Sequence, residues 1–374
     1  MEPVSHFLDD FGLFHLGLAD LLMIGVGLLL LYLALARNVQ PLLMIPLGFG
    51  ILVANLPISP SHTLLLYREG SVLSAFLFLA THEILPALIF FGLGAATDFG
   101  PLLASPRLAL LGGAAQIGVF LTVPLAVLFG LSPPHGAAIA MIGAAHLPVI
   151  LYTAIAMDPA LLGAVAIAAV LVIAIAPQIQ RPILGLLTTR EERRLRMAPP
   201  RAVSRRLRLL FPILGFLLGA LLVRSAAVLL GMLFLGNLLR ESGALDRLAQ
   251  TFGGALLDAL IILLAFGVGL ITTGATFLSW ATLGVFVFGP LALVLSTASG
   301  ILFAKLLNAF ARSKINPALG VAGVAGLPSA ARLSCEVIRD EDAANDLSPQ
   351  ALAPGLAGLI AAALTAGVFI AMIR

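Results

Sequence analysis

The sequence has little charge and only one cysteine. Of its 374 residues, 10% are charged and 60% are hydrophobic, and the mean hydropathy is +1.11. A soluble domain of this length needs a far more charged surface, so the composition excludes one. The single cysteine, Cys335, leaves no internal disulfide and no metal-binding spacing. The sequence also lacks the short strands of alternating polarity that a transmembrane barrel requires.

Several functional signatures are missing as well. Residues 1–10 hold three acidic residues and no basic cluster, so we expect no secretory signal peptide. Nothing resembles a nucleotide-binding loop, a hydrolytic triad or the metal site of a soluble protein. The one basic stretch lacks interleaved aromatic residues, so we expect no nucleic-acid partner.

What the sequence does contain is a series of long apolar blocks. They predict an all-α polytopic membrane protein with about 10–12 membrane segments in contact with lipid. Blocks 40–55 and 226–239 are short and broken by glycine, so they are expected to be re-entrant or strongly tilted. Residues 57–82 are expected to form a loop with a short interfacial helix. The blocks are 16–36, 40–55, 84–97, 107–130, 135–157, 160–185, 209–223, 226–239, 254–273, 280–310, 316–333 and 349–373.

The positive charge is concentrated in the middle of the chain. Nine arginines and two glutamates lie between residues 181 and 208. By the positive-inside rule, this stretch is the cytoplasmic connection between two halves. We therefore predict a first membrane repeat at 1–185, a basic linker at 186–208 and a second membrane repeat at 209–374. The linker is expected to be a solvated orientation signal or, alternatively, a docking surface for a soluble partner or anionic lipid.

A hexapeptide recurs with a spacing of 180 residues. Residues 143–148 (GAAHLP) and 323–328 (GVAGLP) share the pattern G-x-A-x-L-P, and Gly94 and Gly274 each precede alanine at the same spacing. Paired Gly/Pro breaks at matching places in two halves are typical of a transport site between repeats. We favour inverted repeats with broken helices, and parallel repeats are the alternative that periodicity leaves open.

Polar residues inside the apolar blocks are functional candidates because burying them in lipid is costly. His146 lies in the first break. It either carries a proton, since histidine ordinarily titrates near neutral pH, or is a neutral histidine whose ring hydrogen-bonds to carbonyls freed in the break. Asn316 precedes Pro317, as a helix N-cap does, and its amide oxygen is alternatively a ligand for a small cation. Gly320 either lets the backbone approach an ion or packs helices together. Arg332 more often orients a helix than binds substrate.

The remaining charged candidates have simpler interpretations. Asp98 is expected to cap a turn at the membrane edge, and Asp258 to lie in the first turn of a helix. Lys305 is expected to snorkel. The acidic run 336–348 is expected to be a solvated loop, with an ion-attracting mouth as the alternative.

At these residues the chain resembles the β subunit of sodium-pumping biotin-dependent decarboxylases, which act on oxaloacetate, methylmalonyl-CoA or glutaconyl-CoA. The resemblance covers nearly the whole chain in order. It rests on residues 94–107 (GAATDFGPLLASPR), 236–243 (GNLLRESG), 304–308 (AKLLN) and 314–317 (KINP), the last running on through Gly320 to Arg332.

Membership in that family would imply an elevator-like subunit of the bacterial inner membrane. It would form a homotrimer with a small γ-type subunit and a biotin-carrying α-type carboxyltransferase subunit. The carrier would present carboxybiotin, whose decarboxylation drives sodium export, and this chain would bind no cofactor of its own. Asn316 and Gly320 would line the ion pathway, and Arg332 would attract carboxylate or bicarbonate.

Several positions depart from the family's pattern. His146 replaces an aspartate that is central to ion binding, Ala325 a serine and Gly355 an asparagine, and an aliphatic residue near Val170 or Val172 replaces a tyrosine. An aspartate about 4 Å away attracts sodium by roughly 4 kcal/mol at an effective dielectric of about 20, whereas neutral imidazole offers only nitrogen. We therefore expect coupling to H⁺ through His146, or to Na⁺ only if Asn316 and backbone carbonyls suffice. A stand-alone elevator-type secondary transporter and a non-transporting assembly subunit remain alternatives.

Overall fold

The computed structural model describes residues 16–56, 71–324 and 328–373, which are almost entirely helical and contain no strand. The all-α prediction is therefore confirmed. Three predictions concern residues outside these ranges: that residues 1–10 are no signal peptide, that the first part of 57–82 is a loop, and that Ala325 replaces a serine. The helices are α1 (Leu18–Arg37), α2 (Pro41–Ala54), α3 (Val72–Thr81), α4 (Ile84–Ala96), α5 (Gly100–Ala104), α6 (Pro106–Leu128), α7 (Pro133–Ala140), α8 (Leu147–Met157), α9 (Leu162–Ala174), α10 (Ala176–Leu187), α11 (Arg190–Arg193), α12 (Arg205–Leu222), α13 (Ala227–Ser242), α14 (Asp246–Gly253), α15 (Ala255–Ile271), α16 (Gly274–Phe277), α17 (Trp280–Phe310), α18 (Pro328–Glu341) and α19 (Ser348–Ile373). Short 3₁₀ segments lie at Met141–Ala144, Pro159–Leu161, Arg224–Ala226 and Pro317–Gly323.

Five of the described helices are long and apolar enough to cross a membrane: α1, α6, the segment Asp246–Ile271, α17 and α19. Two further pairs of helices are each bent at a short break, and counting each pair as one span gives seven membrane-crossing segments. Leu73–Thr81 meets α4 at 67°, and Pro159–Ala174 meets α10 at 58°. The remaining predicted blocks correspond to shorter or broken helices, such as α2 and α8. The protein is a multi-pass membrane protein.

Local sequence signals explain where the helices begin. Ser279 caps α17 by accepting a hydrogen bond from the backbone nitrogen of Thr282, and Ser132 caps α7 in the same way. Proline occupies the first turn of α2, α6, α7 and α8, where its missing N–H leaves no internal hydrogen bond unmade. These signals divide the predicted block 135–157 into two half-helices.

Glycine allows the central helices to pack with their backbones in contact. Gly118 of α6 lies directly on the backbone of Ser296 in α17, and Gly112 of α6 lies on the backbone of α19 near Gly358. Gly94 of α4 and Gly236 of α13 make the same kind of contact with each other's helix. Small residues let helix backbones approach in this way, which is the usual means of helix association in membranes.

Two buried asparagines link the halves by matching hydrogen bonds. Asn55, which follows α2, donates to the backbone oxygen of Thr272 (2.8 Å) and accepts from the backbone nitrogen of Gly274 (3.1 Å). Asn237 in α13 donates to the backbone oxygen of Thr97 (2.8 Å), close to Gly94. Each asparagine therefore binds the other half at the Gly-Ala pair that the 180-residue spacing relates.

Candidate functional site

The first break lies between α7 and α8 and is buried inside the protein. It consists of the 3₁₀ segment Met141–Ala144 followed by Ala145 and His146. Ala145 has a φ of 52°, in the left-handed region that residues other than glycine rarely adopt. Pro148 lies in the first turn of α8, where the helix restarts. Unwound backbone survives at membrane depth only when it is enclosed in this way or lines a cavity.

His146 occupies the N-cap position of α8 and is 7% exposed. Its ring meets the ring of Phe90 edge-on, with centroids 5.6 Å apart. Its buried Nδ1 receives no hydrogen bond from, and gives none to, any residue that the structure describes. The carbonyls freed in the break therefore do not satisfy this nitrogen, which the neutral-histidine interpretation had expected.

Each break packs against the long helix of the opposite half. A Cβ added at Gly143 would lie 2.7 Å from the backbone oxygen of Ala292 in α17. A Cβ added at Gly323 would lie 2.5 Å from the backbone oxygen of Leu111 and 3.2 Å from the backbone nitrogen of Gly112 in α6. Gly112 and Ala292 are themselves 180 residues apart, so the two contacts lie at equivalent places in the two halves to within one residue.

The second break begins at Asn316, which is fully buried. Its Oδ1 accepts from the backbone nitrogen of Ala318 (3.1 Å), which confirms the predicted N-cap. Its Nδ2 donates to the backbone oxygens of Arg193 (2.8 Å) and Leu195 (3.0 Å) in the basic linker. One lone pair of Oδ1 is left for a cation, so the ion-binding role stays a prediction.

The other predicted site residues are placed differently. Gly320 lies against the backbone of Gly300 in α17 with no room for a Cβ, as helix packing predicts. Arg332 is exposed on α18 and forms no hydrogen bond or ion pair with the described residues. Among those residues, no hydrogen bond joins His146 to Asn316, Gly320 or Arg332.

The positions that depart from the expected pattern offer few oxygens. Gly355 of α19 faces the second break, since a Cβ there would lie 3.2 Å from the backbone oxygen of Ala322. Val170 and Val172 are buried in α9. No cluster of three or more His, Cys, Asp or Glu that could hold a metal ion occurs in the described part of the chain.

The remaining charged candidates lie at helix ends. The Oδ1 of Asp98 accepts from the backbone nitrogen of Gly100 (2.7 Å), as predicted for a turn cap, and pairs with Arg208 (3.4 Å). Asp258 lies exposed in the first turn of α15. Lys305 pairs with Glu192 in the linker (3.1 Å), so it fixes the end of α17 to the linker.

The acidic run is a loop only from residue 342 onward, because α18 extends to Glu341, and its exposed members are solvated as predicted. Three of its five carboxylates pair with arginines of the linker region, since α18 ends beside α11. The pairs are Arg181–Asp340 (2.9 Å), Arg193–Glu341 (2.5 Å) and Arg196–Asp342 (2.8 Å). The hydrogen bond from Arg193 lowers the pKa of Glu341, and the hydrogen bond from Arg196 lowers the pKa of Asp342.

Sequence reasoning also missed how firmly the linker is held. We call residues 188–198 the strap. Besides Asn316, the buried amides of Asn345 and Gln350 donate to strap backbone oxygens, at Leu195 (3.2 Å) and Ala198 (3.0 Å). The strap therefore covers the start of the second break instead of extending into solvent as a whole. Nothing local in the sequence indicates these contacts, because the amides lie more than 100 residues from their partners.

Comparison with known proteins agrees with the resemblance. A family model described as "Na+-transporting oxaloacetate decarboxylase beta subunit" matches residues 19–373. The chain is 42% identical to methylmalonyl-CoA decarboxylase subunit beta of Veillonella parvula, over 99% of this chain and 97% of the relative. It is 40% identical to the oxaloacetate decarboxylase beta chain of Klebsiella pneumoniae, over 99% of both chains. It is 41% identical to glutaconyl-CoA decarboxylase subunit beta of Acidaminococcus fermentans, over 99% of this chain and 97% of the relative.

Proposed function

The chain belongs to the family of beta subunits of Na⁺-transporting oxaloacetate decarboxylases, and from this premise we propose that it couples decarboxylation of carboxybiotin to cation movement through its two breaks. The exchanged contacts of Gly143 and Gly323 with the opposite half carry this proposal. They place both breaks against the pair of crossing helices α6 and α17. A transport site at the interface of two repeats requires this arrangement.

The proposed repeats are residues 1–185 and 209–374, joined by the linker 186–208. Asn55 and Asn237 each hydrogen-bond to the backbone of the opposite repeat, and this supports a two-fold relation between the repeats. The repeats are inverted, and the breaks move together in an elevator-like step. The first repeat also contains two helices too short to cross the membrane alone: α2 has 14 residues and α8 has 11.

The chain works with partner subunits. Its relatives carry the names beta chain or subunit beta of decarboxylases, which are multisubunit enzymes. We assign it a biotin-carrying α-type carboxyltransferase partner, a small γ-type membrane subunit and a homotrimeric arrangement. Arg332, exposed and without an internal partner among the described residues, is the cation that attracts carboxybiotin's carboxylate or the released bicarbonate.

Sodium is the transported ion that the family description favours. A second candidate, the proton, is favoured by one observation in this chain. His146 places an unpaired imidazole nitrogen in the first break, where its relatives' pattern has a carboxylate. An imidazole nitrogen without a hydrogen-bond partner can take up and release a proton, so it provides a proton carrier at the position from which the sodium ligand is missing.

Ion flux in proteoliposomes tests both candidates. The chain, purified with its partner subunits, is supplied with substrate while sodium uptake and internal pH are followed together. We expect His146→Ala to abolish coupled proton movement, and His146→Asp to strengthen the dependence of flux on sodium, because it adds an oxygen ligand. His135→Ala is the matched control, since His135 pairs with Asp158 (2.6 Å) away from the break.

The alternatives give different results. Unchanged flux in His146→Ala would contradict the assignment of that residue. Decarboxylation without movement of either ion would indicate a non-transporting assembly subunit. Ion or solute movement by the chain without any biotin protein would indicate a stand-alone secondary transporter.

A further inference from the structure

Two polar side chains in the centre of the molecule lack hydrogen-bond partners. Gln116 of α6 is 4% exposed, and neither its Nε2 nor its Oε1 is paired with a described residue. Ser296 of α17 is 1% exposed, and its Oγ is likewise unpaired. Other buried hydroxyls on the same helices donate to a carbonyl one turn earlier, as Thr122 does to Gly118 (2.8 Å). Burying a polar atom without a partner is unfavourable, so these two atoms indicate a small polar guest.

Gln116 and Ser296 are equivalent positions in the two halves. They are 180 residues apart, the spacing that relates the two breaks. Both lie near the point where α6 and α17 cross, because Gly118 packs on the backbone of Ser296. Neither residue belongs to the ion site that the family resemblance implied.

Ser296 faces the break of the opposite half, and Gln116 faces the helix that packs on the other break. A Cβ added at Gly143 in the first break would lie 2.8 Å from the Oγ of Ser296. Gln116 lies one helical turn after Gly112, and residues one turn apart share a helix face; a Cβ added at Gly112 would lie 2.4 Å from the backbone of Pro354 and Gly358, so this face of α6 packs against α19. Ser296 is therefore presented at the first break, and Gln116 lies where α6 packs against α19, the helix that contacts the second break through Gly355.

We propose that Gln116 and Ser296 bind the transported sodium ion at successive places along its path, Ser296 at the first break and Gln116 where α6 packs against α19. Sodium prefers oxygen ligands, and uncharged oxygens can replace its hydration shell, as backbone carbonyls do in channels. The Oε1 of Gln116 and the Oγ of Ser296 supply such oxygens where His146 and Gly355 do not. This inference rests on the proposed function, and it selects sodium over the proton as the ion bound at these places.

Sodium binding to the purified full chain in detergent tests the site without partner subunits. The readouts are ²²Na⁺ binding and the midpoint of thermal unfolding in NaCl, compared with KCl at equal ionic strength. We expect Gln116→Leu and Ser296→Ala each to raise the sodium concentration for half-maximal effect about tenfold, the loss of one ligand interaction. Thr122→Val is the matched control, because its hydroxyl is already paired within α6.

A second substitution keeps the test informative if an apolar replacement prevents folding. Gln116→Glu preserves the shape of the side chain and adds a charge, so it should lower the sodium concentration for half-maximal effect. An unchanged sodium response in Gln116→Leu, Ser296→Ala and Gln116→Glu would overturn the proposal.

A bound water is the competing guest, and it gives a distinct result. Replacing an unpaired buried group by an apolar one of similar shape is neutral or stabilising. If Gln116→Leu raises the unfolding midpoint equally in both salts, the group holds water or nothing, and the proposal is wrong. A wild-type chain without any sodium response also refutes the site, while flux in the complete complex decides the proposed function separately.

Discussion

Ala145 keeps the first break unwound in a backbone conformation that is unfavourable for its side chain. Its φ of 52° lies in the left-handed region, which places Cβ too close to a carbonyl oxygen. Ala145 is buried, so the surrounding residues prevent its backbone from relaxing toward solvent. Strain that persists in a buried segment between two half-helices is typical of functional sites.

Replacing Ala145 by glycine should stabilise the folded chain. Glycine adopts a positive φ without a Cβ clash, so we expect the free energy of unfolding to rise by about 0.5–1 kcal/mol. The midpoint of unfolding in detergent measures the change. Ala138→Gly, in the regular helix α7, is the matched control and should destabilise by about 0.5–1 kcal/mol. Destabilisation by both substitutions would show that Ala145 is not strained.

At the scale of elements, the strap is held by charge as well as by amides. Glu341 and Asp342 have lowered pKa values in the folded chain because Arg193 and Arg196 donate hydrogen bonds to them. A carboxyl whose folded pKa lies below its unfolded value stabilises the fold above the unfolded pKa. That contribution disappears as the pH falls through the folded pKa. Acid should therefore loosen the strap at a pH below the usual carboxyl range of about 4.

Hydrogen exchange of residues 188–198 measures this loosening. We expect protection, corrected for the intrinsic exchange rate, to fall as the pH drops below about 4, and Glu341→Gln to lower it already at pH 7. Glu336→Gln on the same helix is the control, because Glu336 is exposed outside these pairs. Strap protection that is independent of pH would mean that the amides of Asn316, Asn345 and Gln350 hold it alone.

At the scale of the whole molecule, the halves are linked at two separate places by Asn55 and Asn237. Asn55→Ala leaves the backbone nitrogen of Gly274 without its hydrogen bond, and Asn237→Ala leaves the carbonyl of Thr97 without its donor. We expect each substitution to destabilise the chain by about 1–3 kcal/mol. The two effects should add, because the sites share no partner.

Unfolding midpoints of the single and double variants check this additivity. Gln250→Ala, at an exposed position of α14, serves as the control and should change stability by less than about 0.5 kcal/mol. A double variant no less stable than either single variant would show that the two asparagines act as one unit.

Local signals allowed much of this fold to be predicted. The block 280–310 coincides with α17, and the block 349–373 begins one residue after α19 does. The first break was predicted from GAAHLP because glycine and proline act on the backbone within a few residues. Asn316 was predicted as an N-cap for the same reason, since proline follows it.

The remaining features depend on contacts that no local signal encodes. Arg193 and Glu341 are 148 residues apart, so the pattern of charge indicates an acidic run and a basic run but not their pairing. The unpaired atoms of Gln116 and Ser296 were missed although the 180-residue spacing relates them. Applying that spacing to every polar residue, and not only to the breaks, would have found the pair.

The exchanged contacts of the breaks also have a consequence for biogenesis. Gly143 packs against Ala292, so one side of the first break stays uncovered until α17 is synthesised. That interval is about 150 residues, or roughly 7–30 s at about 5–20 residues per second. During it, the nascent first half exposes backbone groups to lipid at a high free-energy cost. Insertion of this protein therefore requires either a delayed entry of α7 and α8 into the bilayer or an insertase that shelters them.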